Sequence, residues 1–281
     1  MRQTNKRIFF SLNRRQWTLL PIIFSTTLLV SIVLIGFFFD QEKIATNLSQ
    51  RNLPPSVSHF FGTDWLGRDM FSRTMMGLSF SIRIGLIGSI GSTIIAVMLG
   101  MASAIIGSRV DHIISWVIDL FLSVPHLVTL ILISFTLGGG TKGIVVGLML
   151  THWPSLARVI RAEVMQLRSA DYVSISYKLG RSKWWVAYHH IFPQLLPQIM
   201  IGFILLFPHA ILHEASVTFL GFGLSPHEPA IGIILSEAMK FLTSGMWWLA
   251  FFPGISLLLV VRLFDINAEK IQKLLNPIKF Y

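Results

Sequence analysis

Residues 170–197 read ADYVSISYKLGRSKWWVAYHHIFPQLLP, a stretch too polar to cross a bilayer, set between apolar runs long enough to do so. Gly180 divides it. In the first half, Tyr172, Ile175 and Leu179 recur at helical spacing and form one apolar face. Gly180 takes a left-handed turn without steric cost and stops that helix. Ser182 serves as N-cap of a second helix, whose Trp184, Trp185, Tyr188 and Ile191 make a broad aromatic side before Pro193 ends it. Lys178, Arg181 and Lys183 sit among them. Two readings fit these residues. One is a helix–turn–helix knob that docks on a partner protein; the other is an amphipathic element lying on the lipid surface.

Working outward, composition makes lipid the solvent for most of the chain. Of 281 residues, 53% are hydrophobic and 13% charged, and the mean hydropathy is +0.67; a soluble domain carries about twice that charged fraction. The expectation is an all-α integral membrane protein with six transmembrane helices. The net charge of +10 fits basic segments that orient the chain in a membrane rather than nucleic-acid binding. There are no cysteines, which excludes disulfides, thiolate metal sites and cysteine nucleophiles.

The polar and apolar segments then fall in order. Residues 1–16 are a basic N-terminus, and 17–39 are an uncharged apolar run of about 35 Å as a helix. The run ends in Phe37, Phe38, Phe39 and Asp40 without a small-residue cleavage site, so it reads as a retained anchor rather than a signal peptide. Residues 40–77 form a polar loop ending in HFFGTDWLGRDMFSR (59–73), a surface loop tied by Asp–Arg pairs, with metal or catalytic use of Asp64 and Asp69 as the minor reading. Residues 78–264 hold five further spans: 78–107, rich in glycine; 112–137 after the short hinge SRVD, kinked at Pro125; 143–164, carrying His152 and Pro154; 198–219; and 246–264. The polar loop 165–193 lies among them, and 265–281 are an amphipathic tail. Six spans put both termini and 165–193 on one side. That side holds sixteen Lys and Arg against six opposite, which makes it the cytoplasmic side.

No catalytic constellation emerges, with neither GxxxxGK[ST] nor HExxH present. His189 and His190 are adjacent and so point to different helix faces. His209 and His213 share a face of the fifth span, next to Glu214. An ionisable group within a span normally faces a pore or a partner, so these three read as helix-packing contacts, as part of a translocation path or, as the least reading, as a transient metal site. A secondary transporter would need a coupling-ion carboxylate, for which Asp119 and Glu214 are the main candidates, and inverted repeats, which are not evident. A channel would need a filter, and none is visible.

The opening stretch resembles the cytoplasmic EAA loop of binding-protein-dependent ABC importer permeases, with Gly180, His190, Ile191 and Pro193 in place. FGTDWLGRDMFSR (61–73) is similar to the segment before the second span in the C-type permease of dipeptide, oligopeptide and nickel importers. EASVTFLGFGLSPHEPAIGIILSEA (214–238) is similar to the same subfamily's fifth-span end and outer loop. Two departures stand out. The EAA triplet is Ser174-Ile175-Ser176, and the ending FDINAEKIQKLLNP shares only Asp265, Leu275 and Pro277 with the subfamily pattern.

The resemblance implies a type I importer permease in a bacterial cytoplasmic membrane, multi-pass, paired with a second permease subunit. Two ATP-binding subunits would hold ATP and Mg²⁺ and do the hydrolysis, an extracytoplasmic binding protein would deliver substrate, and this chain would bind no cofactor and catalyse nothing. Tyr172, Ile175, Leu179, Gly180, Trp184, Trp185, His190 and Pro193 would form the ATPase-coupling contact. Asp64, Gly67, Arg68 and Asp69 would build the outer loop that meets the partner permease or the binding protein. Relatives of this kind carry short peptides, the first expectation here, or nickel and other metal chelates.

Overall fold

Asp69 starts a helix of 37 residues. Its carboxylate accepts the Ser72 backbone N–H at 2.8 Å and so caps α2 (Met70–Ile106), which begins eight residues before the expected span. In the computed structural model, which describes residues 14–38 and 44–275, α2 is the axis around which the other helices are arranged. The basic residues of 1–13, Asp40, Lys43 and Pro277 lie outside the described residues.

The remaining helices are α1 (Arg14–Phe38), α3 (Ser108–Ser123), α4 (His126–Thr136), α5 (Gly140–Arg168), α6 (Asp171–Lys178), α7 (Lys183–Val186), α8 (Phe192–Phe219), α9 (Ile231–Met239) and α10 (Trp248–Leu275). The described residues hold no strand, only an isolated bridge between Thr63 and Asp69. Five helical runs are long and apolar enough to cross a membrane, and α3 with α4 makes a sixth if counted as one broken span.

The expected kink at Pro125 is a 98° bend. Proline lacks the N–H that would continue the ladder and pushes the preceding residue out of the helical region. Val124 is accordingly extended at φ −97°, ψ 138°, and the Pro125 carbonyl accepts the Val128 and Thr129 N–H groups that open α4. The SRVD segment is not a hinge but the first turn of α3, and Gly107 alone makes the break before it.

Pro193 does not end the second helix of the 170–197 stretch. The run from Lys183 to Phe219 is continuous, with one π turn over residues 187–191 in which the Phe192 N–H donates to the Ala187 carbonyl. A π turn inserts one residue and widens the helix, which gives the Pro193 ring space that a regular helix withholds. The final helix likewise continues past Phe264 to Leu275, so most of the expected tail extends it. The outer 220–245 loop contains α9.

α2 and α5 lie parallel in close contact. A Cβ on Gly100 would come within 2.8 Å of the Ala157 carbonyl oxygen, and the Ser92 hydroxyl donates to the Met149 carbonyl at 2.9 Å. Lipid offers no hydrophobic drive for two apolar helices to meet, so association rests on this close packing of small residues. α1 runs antiparallel to α2, with the Ser79 hydroxyl donating to the Val33 carbonyl, and reaches α10 through Ser25 and Asn267 at 2.5 Å. Three apolar clusters result. One joins α1, α9 and α10 to the first half of α2 and the end of α8. A second gathers α3, α5 and the 170–191 elements around the second half of α2. The third lies between α4, α5 and α8.

Candidate functional site

At the second-half end of α2, α6 and α7 form the knob. α6 closes in a Schellman turn: the Gly180 N–H donates to the Tyr177 carbonyl at 3.0 Å and the Arg181 N–H to the Ser176 carbonyl at 3.1 Å. Gly180 takes φ +80°, and nothing lies within 4 Å of where a side chain would begin. The Ser182 hydroxyl accepts the Trp185 N–H, as its N-cap reading expects.

Val173, Val186 and Ile191 are fully buried and fasten the knob to the helices above. Tyr172, Ile175, Leu179, Trp184 and Tyr188 project outward, with Leu179 77% and Trp184 66% exposed. The aromatic side expected of the second helix is therefore divided. Ile191 faces the core, and half-buried Trp185 stacks on His189 with the Arg181 guanidinium 4.4 Å from its ring centre. The Ser176 hydroxyl donates to the Tyr172 carbonyl and lies 3.0 Å from His190 Nε2, so the third residue of the divergent triplet ties the two halves together. Pro193 is exposed on the continuing helix.

At the opposite end of α2, Asp64 is 2% exposed and saturated with donors. Its Oδ1 accepts the Leu66 and Arg68 N–H groups, both at 2.9 Å; its Oδ2 accepts Arg68 Nε and Arg73 Nη1, both at 2.7 Å. Both guanidiniums also reach Glu237 of α9, at 3.3 and 2.9 Å. Two cations and two anions close a ring that binds the loop, α2 and α9. Asp69 caps α2 and pairs with His59 at 3.0 Å. Gly67 takes φ +75°, where a Cβ would overlap the Asn47 carbonyl. The expected Asp–Arg loop is there; Glu237, some 170 residues away in sequence, is the member that sequence reasoning missed.

Between these ends the structure separates the three residues of the fifth span. Glu214 is completely buried and accepts the Thr218 hydroxyl at 3.0 Å. His209 and His213 line a cavity of about 630 Å³ at the α3–α4 corner. There His213 Nδ1 lies 3.1 Å from His152 Nε2 of α5, and the His126 ring of α4 sits 4.3 Å from the His152 ring and 4.4 Å from that of His213, centre to centre. His126 was missed in the sequence. The only signal available was that spans three, four and five each hold an intramembrane histidine, and nothing sequential says that they converge.

Antiparallel and parallel apolar helices around a broken span, a cavity at the break and a protruding knob make a multi-pass helical membrane protein. Residues 92–276 match the family described as binding-protein-dependent transport system inner membrane component. The oligopeptide transport system permease protein OppC of Bacillus subtilis is 32% identical over 254 residues, covering 89% of this chain and 83% of that protein. The dipeptide transport system permease protein DppC of the same organism is 31% identical over 250 residues, 89% of this chain and 78% of its own. The probable D,D-dipeptide transport system permease protein DdpC of Escherichia coli is 29% identical, with 92% and 88% covered. A chain of the MetNI methionine ABC transporter in an inward-facing conformation has the same fold: TM-score 0.61 at 14% identity, over 73% of this chain and 97% of that one. The chain belongs to the binding-protein-dependent inner membrane components, as a C-type permease of the dipeptide and oligopeptide ABC importers. It is a transport component and not an enzyme, and ATP hydrolysis in such importers lies in separate subunits.

Proposed function

We propose that the chain forms half of the translocation path for short peptides and couples it to two ATP-binding subunits through residues 165–193. The observation that carries this is the knob, a rigid turn that projects Leu179 and Trp184 into open space from a fully buried base. Exposed apolar side chains on a fixed scaffold suit insertion into a groove on another protein. The names of the relatives support peptide as the cargo class. The partners are a second permease subunit, the two ATPase chains with their ATP and Mg²⁺, and an extracytoplasmic binding protein. The membrane is a bacterial cytoplasmic one, with both termini and the knob facing the cytoplasm, in line with the distribution of Lys and Arg. The 44–69 loop, with Asp64, Gly67, Arg68 and Asp69, faces outward and presents a braced surface to the binding protein or the partner permease.

In this mechanism, ATP binding draws the ATPase subunits together and the docked knobs move with them. That motion turns the path outward, and hydrolysis resets it. The test is ATP hydrolysis by the purified complex in lipid discs with its binding protein. Stimulation by a panel of short peptides is expected; an ATPase that fails to co-purify under gentle extraction would overturn the proposal. Import of nickel or another metal chelate is the second reading, favoured by the convergence of three imidazoles in the membrane cavity.

A further inference from the structure

We infer that His126, His152 and His213 form a three-nitrogen site for a divalent transition-metal ion that enters the cavity within an anionic, peptide-like chelate. The inference rests on the importer reading and names a chemical feature of its cargo.

The three residues come from three different helices, and each offers one ring nitrogen within 4.8 Å of the others. Nitrogens bound to one tetrahedral ion at about 2.0–2.1 Å lie about 3.4 Å apart. The His152–His213 pair, at 3.1 Å, is already near that spacing, and only His126 has to approach. Both of its ring nitrogens are buried; one faces the Thr151 backbone, and the other has no hydrogen-bond partner and is left to approach. A buried polar group left unpaired is destabilising, a deficit that a bound ion removes. His152 is prepared in the opposite way. Its Nδ1 lies 3.1 Å from the Leu148 carbonyl, where a proton on that nitrogen is held, and its Nε2 lone pair meets His213 Nδ1; an ion that replaces this hydrogen bond requires the His213 proton to move to Nε2 of its own ring. A backbone carbonyl on the far nitrogen is the usual device that orients a metal-binding imidazole.

Imidazole donors select ions of borderline softness, such as nickel, cobalt, copper and zinc, over magnesium or calcium. The cavity supplies no counter-charge: its lining includes serine, threonine, proline and apolar side chains beside the histidines, and no carboxylate. A bare dication held by three neutral rings in a membrane is electrostatically expensive. Carboxylates or deprotonated amides on a chelating ligand cancel that charge, and a cavity of about 630 Å³ has room for such a ligand beside the ion. His209, its ring centre 6.5 Å from that of His213, lines the same cavity next to the three. The broken backbone at Val124 and Pro125 fits this use, since non-helical backbone at membrane depth is tolerated where it lines a polar cavity.

The test is cobalt(II) binding to the tag-free importer complex in lipid discs, under argon, read by visible absorption and by imidazole scattering at the cobalt absorption edge. One arm supplies cobalt chloride, the other the cobalt complex of glycylglycine. The expected result is one cobalt per copy of this chain with imidazole ligands. Affinity should fall at least about tenfold in both His126→Ala and His213→Gln, and stay unchanged in His112→Ala, a surface histidine away from the cavity. The His126 ring packs on those of His152 and His213, so both cavity variants are also required to keep the parent Tm, which separates loss of binding from loss of fold. Binding from chloride but not from the chelate overturns the chelated cargo and leaves a free-ion site. No imidazole-bound cobalt, or equal binding by the two cavity variants, overturns the inference. If peptides stimulate ATP hydrolysis while cobalt fails to bind, only the metal site falls. If cobalt binds but no ATPase co-purifies, only the importer reading falls.

Discussion

Asp64 shows how far single residues could be read from sequence. Two Asp and two Arg among glycines already suggest a tied loop, because such charges near a membrane surface pair. What spacing could not give is that Asp64 alone takes four donors, or that Glu237 completes the ring. Removing one member of a buried charged set costs about 3–5 kcal/mol, since its partners stay desolvated. Glu237 still holds both arginines, so Asp64→Ala should lie near the lower end. A lowered Tm of the detergent-solubilised permease is expected, and a smaller loss in Asp64→Asn, which keeps an acceptor for the backbone N–H groups. An unchanged Tm in Asp64→Ala would mean that the ring is not holding the loop. The histidines teach the opposite lesson. His209 and His213 were visible as one helix face, but His126 and His152 are joined to them only by tertiary packing, which leaves no periodic trace.

Among the elements, the halves of the 170–197 stretch were legible because glycine and serine punctuate helices by local chemistry. Gly180 and Ser182 behave as their residue types dictate. The error lay at Pro193, where a local rule was overridden by the π turn before it, a feature without a sequence signature. Two predictions belong at this scale. A non-glycine residue in the left-handed region costs about 1–2 kcal/mol, and Gly180 has open space around it. Gly180→Leu should therefore insert normally, re-angle the turn and lower peptide-stimulated ATP hydrolysis; wild-type uptake would rule out the docking role. Deleting Ala187 should convert the π turn to regular helix and rotate the knob by about 100° against the span that follows. Expression with little transport is the expected outcome, measured as uptake in cells, and full uptake would show that the π turn is dispensable.

For the whole molecule, composition sufficed to establish a helical membrane protein, and counting apolar runs nearly gave the number of crossings. The broken third span is the difference: proline announced a disturbance there but not a right-angle corner. Orientation rests on charge distribution, and the absence of cysteine makes it simple to test. Ser174→Cys on the knob should react with an impermeant maleimide only in inside-out vesicles, and Ser49→Cys in the 44–69 loop only in intact spheroplasts; both sites are exposed. The reverse labelling pattern would invert the topology.

The unbroken run from Lys183 to Phe219 has a mechanical consequence. At helical rise it is about 55 Å long, with Trp184 and His213 as two marks on it. Under the proposed coupling, a thrust at the first mark is carried towards the second along one helix, whereas α4 lies beyond the Val124–Pro125 corner as a separate element packed on α5 and α8. The consequence of that proposal is that His126 and His213, on opposite sides of the corner, would be parted and rejoined once per cycle, and anything gripped between them let go by the same movement. Spin labels should report a constant distance from 184 to 213 and a changing one from 126 to 213 on ATP binding. A fixed distance in the second pair would show that this run and α4 travel together.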